Sequence, residues 1–387
     1  MKSAGIRYYI FLAAFMTGSC HYPVQKKAAS SFNLTGSLEG SGQGMYIYLD
    51  RLTPDGITPL DSALIGKEGR FSFHTTGIYK GFYNIRLTSN NYATLILDSG
   101  ETVNFTASSD DLGYTWSASG SPDSKRYKIL NRESAEYHAA LDSLQSCAQA
   151  KATAMGGNPR RLDSLNMALE APFDSIHSLH QRFILKFIHD NLTYFSAMAA
   201  IEQLPPDKFL AVYIRLDSAL SAKYPSSVYT NHFHRQVTAF RRTAIGAVLP
   251  DFNLPGENGK FLSPSSLKGK TALLFFWSSA SRASLAALPA VAATANKFKS
   301  NRFIVLGISF DRDKDAWINA LNRYKFAGAN VCDTTGRNSK LFELYNIRSL
   351  PYNMLISPDG IIIDKNIPAE DLEEEIKQAL QPIPEKK

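Results

Sequence analysis

The spacing of hydrophobic positions changes twice along the chain. Between residues 31 and 118, short runs read FNLTGSL, MYIYLDRL, RFSFHTT, FYNIRLTS, YATLILD and ETVNFTA. They are rich in aromatic and β-branched residues, and several place an apolar side chain at every second position. A period of two puts those side chains on one face of a strand. Turn chemistry separates the runs, with Lys67-Glu68-Gly69 before RFSFH and Asp98-Ser99-Gly100 between two others. The pattern predicts a small all-β sandwich or barrel. Over 122–243 the spacing becomes three and four, through Ile129, Tyr137, Leu141 and Leu144, then Leu179, Phe183, Ile184, Phe187, Ile188 and Leu192. That is the signature of amphipathic helices. Gly156-Gly157-Asn158-Pro159 and Pro205-Pro206-Asp207 interrupt them. A helical connector is expected here.

From 246 to 387 strands and helices alternate. LLFFW (273–277) and FIVLGIS (303–309) are continuous apolar runs, as in strands buried on both faces. Helices are expected to about 299, around Asp315–Tyr324, around Ser339–Tyr345 and over 369–380, with a short strand at Ala329–Cys332. YNMLIS and IIIDKN pair as a hairpin over Pro358-Asp359-Gly360. This order predicts an α/β domain with a mixed sheet. The whole is multidomain, as 387 residues would suggest.

Composition adds little, and charge excludes one class. The formal net charge is +7, but the basic residues are scattered, some as pairs such as Lys26-Lys27, Arg160-Arg161 and Arg241-Arg242. No dense basic stripe with interleaved aromatics is present, which argues against a nucleic-acid partner. The N-terminus changes the picture more. MKSAGIRYYIFLAAFMTGSC has a positive start, a short apolar core and small residues, the layout of an export signal. Thr17-Gly18-Ser19-Cys20 resembles a bacterial lipobox, with Thr17 where an aliphatic residue is usual. The resemblance implies cleavage before Cys20, lipid on its sulfur and a membrane attachment through that lipid. Residues 1–20 are then the lipoprotein signal and 21–30 a flexible leader. The expected location is the cell envelope of a Gram-negative bacterium, facing the periplasm. With Cys20 lipidated, Cys147 and Cys332 are the remaining cysteines, and no Cys-x-x-Cys pair occurs.

Two resemblances follow. The Leu60-Asp61-Ser62-Ala63 strand, the Gly69-Arg70-Phe71 turn and the LDSGETV hairpin resemble a domain of unknown function that commonly precedes thioredoxin-like domains in envelope lipoproteins. Over 246–387, the order of Gly246-Ala247-Val248-Leu249-Pro250-Asp251-Phe252, Leu267-Lys268-Gly269-Lys270, Phe275-Phe276-Trp277, Pro289 and Leu350-Pro351 resembles the thioredoxin superfamily. The branch is that of membrane-tethered thiol-disulfide oxidoreductases and AhpC/TSA peroxiredoxin-like proteins. The resemblance implies a thioredoxin-like fold, a cis-proline at Pro351, and an active site where Ser281-Arg282-Ala283-Ser284 stands. Family members have Cys-x-x-Cys there. A thiol at a helix N-terminus ionises near neutral pH and attacks a disulfide, which the second thiol then resolves. A serine hydroxyl does neither, but it caps helices well.

The expectation is therefore a degenerate site with no catalytic residue, acting as a peptide-binding or scaffolding module. Trp277, Ser281, Arg282, Leu350 and Pro351 would form the binding face for an extended peptide or an envelope protein partner. The alternative is an oxidoreductase or peroxidase using Cys332 as a displaced thiol, with Cys147 as a candidate partner. Serine-nucleophile chemistry would need a base, and no histidine occurs from 246 onward. The pairs His177/His180 and His232/His234 have spacings a metal could use, yet their helical spacing and the lack of a nearby carboxylate–cysteine cluster favour solvated or packing histidines. No metal or other cofactor is expected.

Overall fold

The computed structural model describes residues 33–156, 159–298, 300, 302–326 and 328–381. They divide into two compact units, one through His234 and one from Arg235. The signal, lipobox and leader assigned to residues 1–30 lie outside the described residues.

The first unit opens with β1 (Asn33–Glu39), β2 (Tyr46–Thr53), β3 (Gly56–Leu64), β4 (Arg70–Phe73), β5 (Gly81–Arg86), β6 (Tyr92–Leu97) and β7 (Thr102–Ser108), then a one-turn helix α1 (Leu112–Thr115) and β8 (Ser117–Ser119). They form two four-stranded sheets, ordered β4-β1-β7-β8 and β3-β2-β5-β6. The two sheets are separate, so the strands do not close into one barrel. Alternation decides what is buried: Leu34, Gly36 and Leu38 of β1, and Val103, Phe105 and Ala107 of β7, point inward. Gly36 is required by close approach, because a Cβ there would lie 2.5 Å from the Phe71 ring.

Helices α2 (Pro122–Ala154), α3 (Pro159–Asp190), α4 (Phe195–Ile201) and α5 (Pro206–Lys223) follow, then α6 (Val228–Arg242). α2 ends at Ala154, just before Gly156, and α5 begins at Pro206, so both ends lie beside the breaking residues of the sequence. The span 122–243, expected as a connector, belongs to the first unit as far as His234. The reason is a set of ties to the β strands. Ser121 and Ser124 both donate to the Ile96 carbonyl, at 2.8 and 2.9 Å. Lys80, just before β5, pairs with the buried Asp123 at 2.9 Å. In α2 the buried positions are all in the first three turns: Asp123, Ser124, Tyr127 and Leu130.

In the second unit a small pair, β9 (Leu254–Pro255) and β10 (Phe261–Leu262), precedes β11 (Thr271–Trp277). Then come α7 (Arg282–Lys297), β12 (Phe303–Ser309), α8 (Lys314–Tyr324), β13 (Ala329–Cys332), α9 (Lys340–Leu344), β14 (Tyr352–Ile356), β15 (Ile362–Lys365) and α10 (Leu372–Leu380). The main sheet has the order β13-β12-β11-β14-β15. Its first three strands are parallel and its last two antiparallel to their neighbours. Every residue of β11 is buried. Leu273, Phe275 and Trp277 join a core with Leu288, Val291, Trp317, Leu372 and Ile376. Ala272, Leu274 and Phe276 join another with Leu267, Leu341, Phe342 and Tyr345. Helices thus cover both faces, and the continuous apolar run is two period-two patterns superposed.

Candidate functional site at the N-terminus of α7

Beyond Trp277 the chain leaves the sheet, turns through Ser278-Ser279-Ala280 and enters α7. Ser281 has extended backbone angles (φ −96°, ψ 113°) and caps the helix, its Oγ accepting from the Ser284 N–H at 3.2 Å. This satisfies one of the amide donors that a helix start leaves unpaired. The same hydroxyl donates to the Leu350 carbonyl at 3.3 Å, and the Leu350–Pro351 bond is cis. The fold therefore brings Ser281, Ser284, Leu350 and Pro351 together across more than sixty residues of sequence. Ser284 is fully buried, and its Oγ accepts from the Ser278 N–H at 3.4 Å.

Under this turn lies a residue that sequence reading passed over. Asp311, 4% exposed, follows β12 and points back beneath residues 278–280. Its Oδ1 accepts from Ser278 Oγ at 2.7 Å and Ser279 Oγ at 2.9 Å. The Ser279 N–H reaches both oxygens, at 2.9 and 3.0 Å, and Ser309 Oγ donates to Oδ2 at 2.8 Å. Among the described residues no ion pair involves it. Three hydroxyls and an amide supply the stabilisation a buried carboxylate requires. In sequence, Asp311-Arg312-Asp313 looks like a solvated loop. The signal lies in sheet order: β11 beside β12 sets Trp277 opposite Ser309, and β13 sets Ser309 opposite Cys332.

Cys332 lies on the same side. It is 3% exposed, and its Sγ is 3.3 Å from the Asp311 carbonyl and 3.8 Å from Ser309 Oγ. Burial pushes its thiol pKa up, and the charges of Asp311 and Asp333 push the same way against the hydrogen bonds. Deprotonation is thus disfavoured where a redox thiol would need it. Cys147, in the first unit, is exposed, and both cysteines are free thiols.

The expected binding face needs one correction. Trp277 is 0% exposed and packs in the core between the sheet and α7–α8, so it leaves no surface for a ligand. What the site presents is Ala280, Arg282 and Ala283, all exposed, beside the half-buried Ser281, Leu350 and Pro351. No general base for Ser281 is at hand, since the second unit contains no histidine.

The histidines of the first unit have other partners. His177 Nδ1 is 2.7 Å from the Tyr137 hydroxyl, His180 Nε2 is 2.8 Å from Gln203 Oε1, and His234 Nδ1 is 2.8 Å from Asp217. Among the described residues, no group of three metal-ligating side chains converges.

Residues 245–365 match the AhpC/TSA family, and residues 32–127 match a domain of unknown function, DUF4369. A thiol-disulfide oxidoreductase, ResA, of Bacillus subtilis is 29% identical over 118 residues, covering 30% of this chain and 64% of that protein. The chain thus spans under two thirds of that relative's length. The Bacillus cereus ResA is 26% identical over 139 residues, covering 36% of this chain and 78% of that protein. Among solved structures, the C-terminal domain of a putative thiol-disulfide oxidoreductase from Bacteroides thetaiotaomicron is 34% identical, with a TM-score of 0.34. It covers 36% of this chain and 97% of that one. A thiol-disulfide oxidoreductase from Bacteroides fragilis is 35% identical, covering 34% of this chain and 99% of that one, with a TM-score of 0.33. The C-terminal domain is thioredoxin-like and related to thiol-disulfide oxidoreductases, within a chain of β-rich, helical and α/β parts.

Proposed function

We propose that this is a redox-inactive thioredoxin-fold lipoprotein of the cell envelope, working as a peptide- or protein-binding or scaffolding module. It would be held to the membrane by lipid on Cys20 and face the periplasm. The observation that carries this reading is the pair Ser281 and Ser284 at the start of α7. Both hydroxyls are engaged in holding the turn, and neither has a base. The face at Ala280–Ala283 and Leu350–Pro351 would receive an extended chain by strand addition.

The relatives' names favour a second reading, thiol-disulfide exchange or peroxidase chemistry at Cys332. Its burial and raised pKa speak against that. Disulfide reductase activity of the full chain separates the two. The parent is expected to be inactive, and the Ser281→Cys/Ser284→Cys variant active. Activity in the parent that disappears with Cys332→Ala would replace the first reading by the second.

A further inference from the structure

Helices α2 and α3 run side by side. Tyr127 and Leu130 of α2 and Ile184, Phe187 and Ile188 of α3 are buried at one end of the pair, and Leu165 of α3 is buried farther out. Beyond Leu130, α2 itself buries no residue. Between these buried positions, three imidazoles surround one phenol. The His180 ring stacks on Tyr137 at 3.9 Å with 10° between the planes. His177 accepts or donates a 2.7 Å bond with the Tyr137 hydroxyl and stacks on Phe173 at 5.7 Å. His138, next along α2, lies 5.1 Å from the Tyr137 ring. Gln203, beyond α4, closes the cluster by accepting from His180 Nε2 at 2.8 Å and from Ser134 Oγ at 3.2 Å.

An imidazole binds a proton within the physiological pH range. We propose that the cluster is a pH-sensitive clasp, which holds the outer halves of α2 and α3 together when neutral and releases them when acidified.

The argument is one of charge number. A single positive charge on His180 would gain the Tyr137 face, worth about 0.5–1 kcal/mol where exposed. Against it stand burial, which is the largest influence and lowers the His180 pKa, and the neighbours His138 and His177, which lower it further. The hydrogen bond to Gln203 acts the other way, as does Glu133, the carboxylate facing His180, which also pairs with Arg132 at 3.2 Å. The closed pair can therefore accept one charge, while a second and third would sit around the same phenol ring. Separating the helices relieves that repulsion and rehydrates the rings. The sign follows: a histidine whose folded pKa is lowered contributes stability that is present above the unfolded value, about 6.5, and is lost as pH falls below it.

The test is amide hydrogen exchange on the full chain at pH 7.5 and 5.5, expressed as protection factors. Protection factors read the local opening equilibrium. Protection over 138–154 and 163–179 should fall about tenfold or more on acidification, with 122–130 and 184–190 unchanged. A His138→Gln/His177→Gln/His180→Gln variant should lose that dependence. Equal protection at both pH values, or a dependence that survives the triple substitution, would overturn the proposal. Should the variant fail to fold, a single His180→Gln variant decides: a pH dependence of protection that stays complete without this ring would also overturn the proposal, and a weakened one would support it.

Discussion

At the scale of single residues, the turn before α7 depends more on Asp311 than on Ser281 and Ser284. Its carboxylate gathers Ser278, Ser279 and Ser309, and hydrogen bonds to a charged group contribute roughly 1.5–3 kcal/mol each, with buried donors costly to orphan. Asp311→Ala should lower unfolding free energy by about 3 kcal/mol, read from denaturant midpoints, whereas Arg312→Ala at the neighbouring position should change it by less than about 0.5 kcal/mol. The sequence exposed the reactive positions and concealed their support. Ser281, Ser284 and Pro351 sit in a recognisable order of motifs. Asp311 is distinguished from Asp313 only by which strands lie side by side. Trp277 differs from its expectation for a related reason: alternation assigns a side chain of a fully buried strand to a face without showing how deeply the helices on that face cover it.

At the scale of elements, the start of α2 organises the first unit. Asp123 Oδ2 accepts from the Phe195 N–H at 2.8 Å and Oδ1 from the Ser196 N–H at 3.0 Å, which starts α4, while Lys80 supplies the opposite charge. Removing one partner of a buried pair leaves the other uncompensated. Asp123→Ala should cost about 3–5 kcal/mol, measured by thermal or chemical unfolding, and Lys80→Met markedly less because the two amides remain on the carboxylate. The strands and helices themselves were legible from period and from turn residues such as Gly69 and Pro206. Their assembly was not. The bonds from Ser121 and Ser124 to Ile96 that make the helices part of the β unit join positions 25 and 28 apart, with no local signature.

At the scale of the whole molecule, the described residues divide into two compact units. The two cores of the second unit draw all their members from Leu249 onward, so residues 235–387 should fold alone, as judged by a near-ultraviolet circular dichroism spectrum and a single cooperative unfolding transition. A fragment that stays unfolded would show that this unit borrows stability from elsewhere. Within it, the turn at 278–280 is anchored from below by one carboxylate, which holds residues 278 and 279 by bonds that do not pass through position 281. The mount is thus separate from the atom that stands on it. Chemistry could be withdrawn from such a site, or returned to it, by exchanging two atoms while the architecture around them stands.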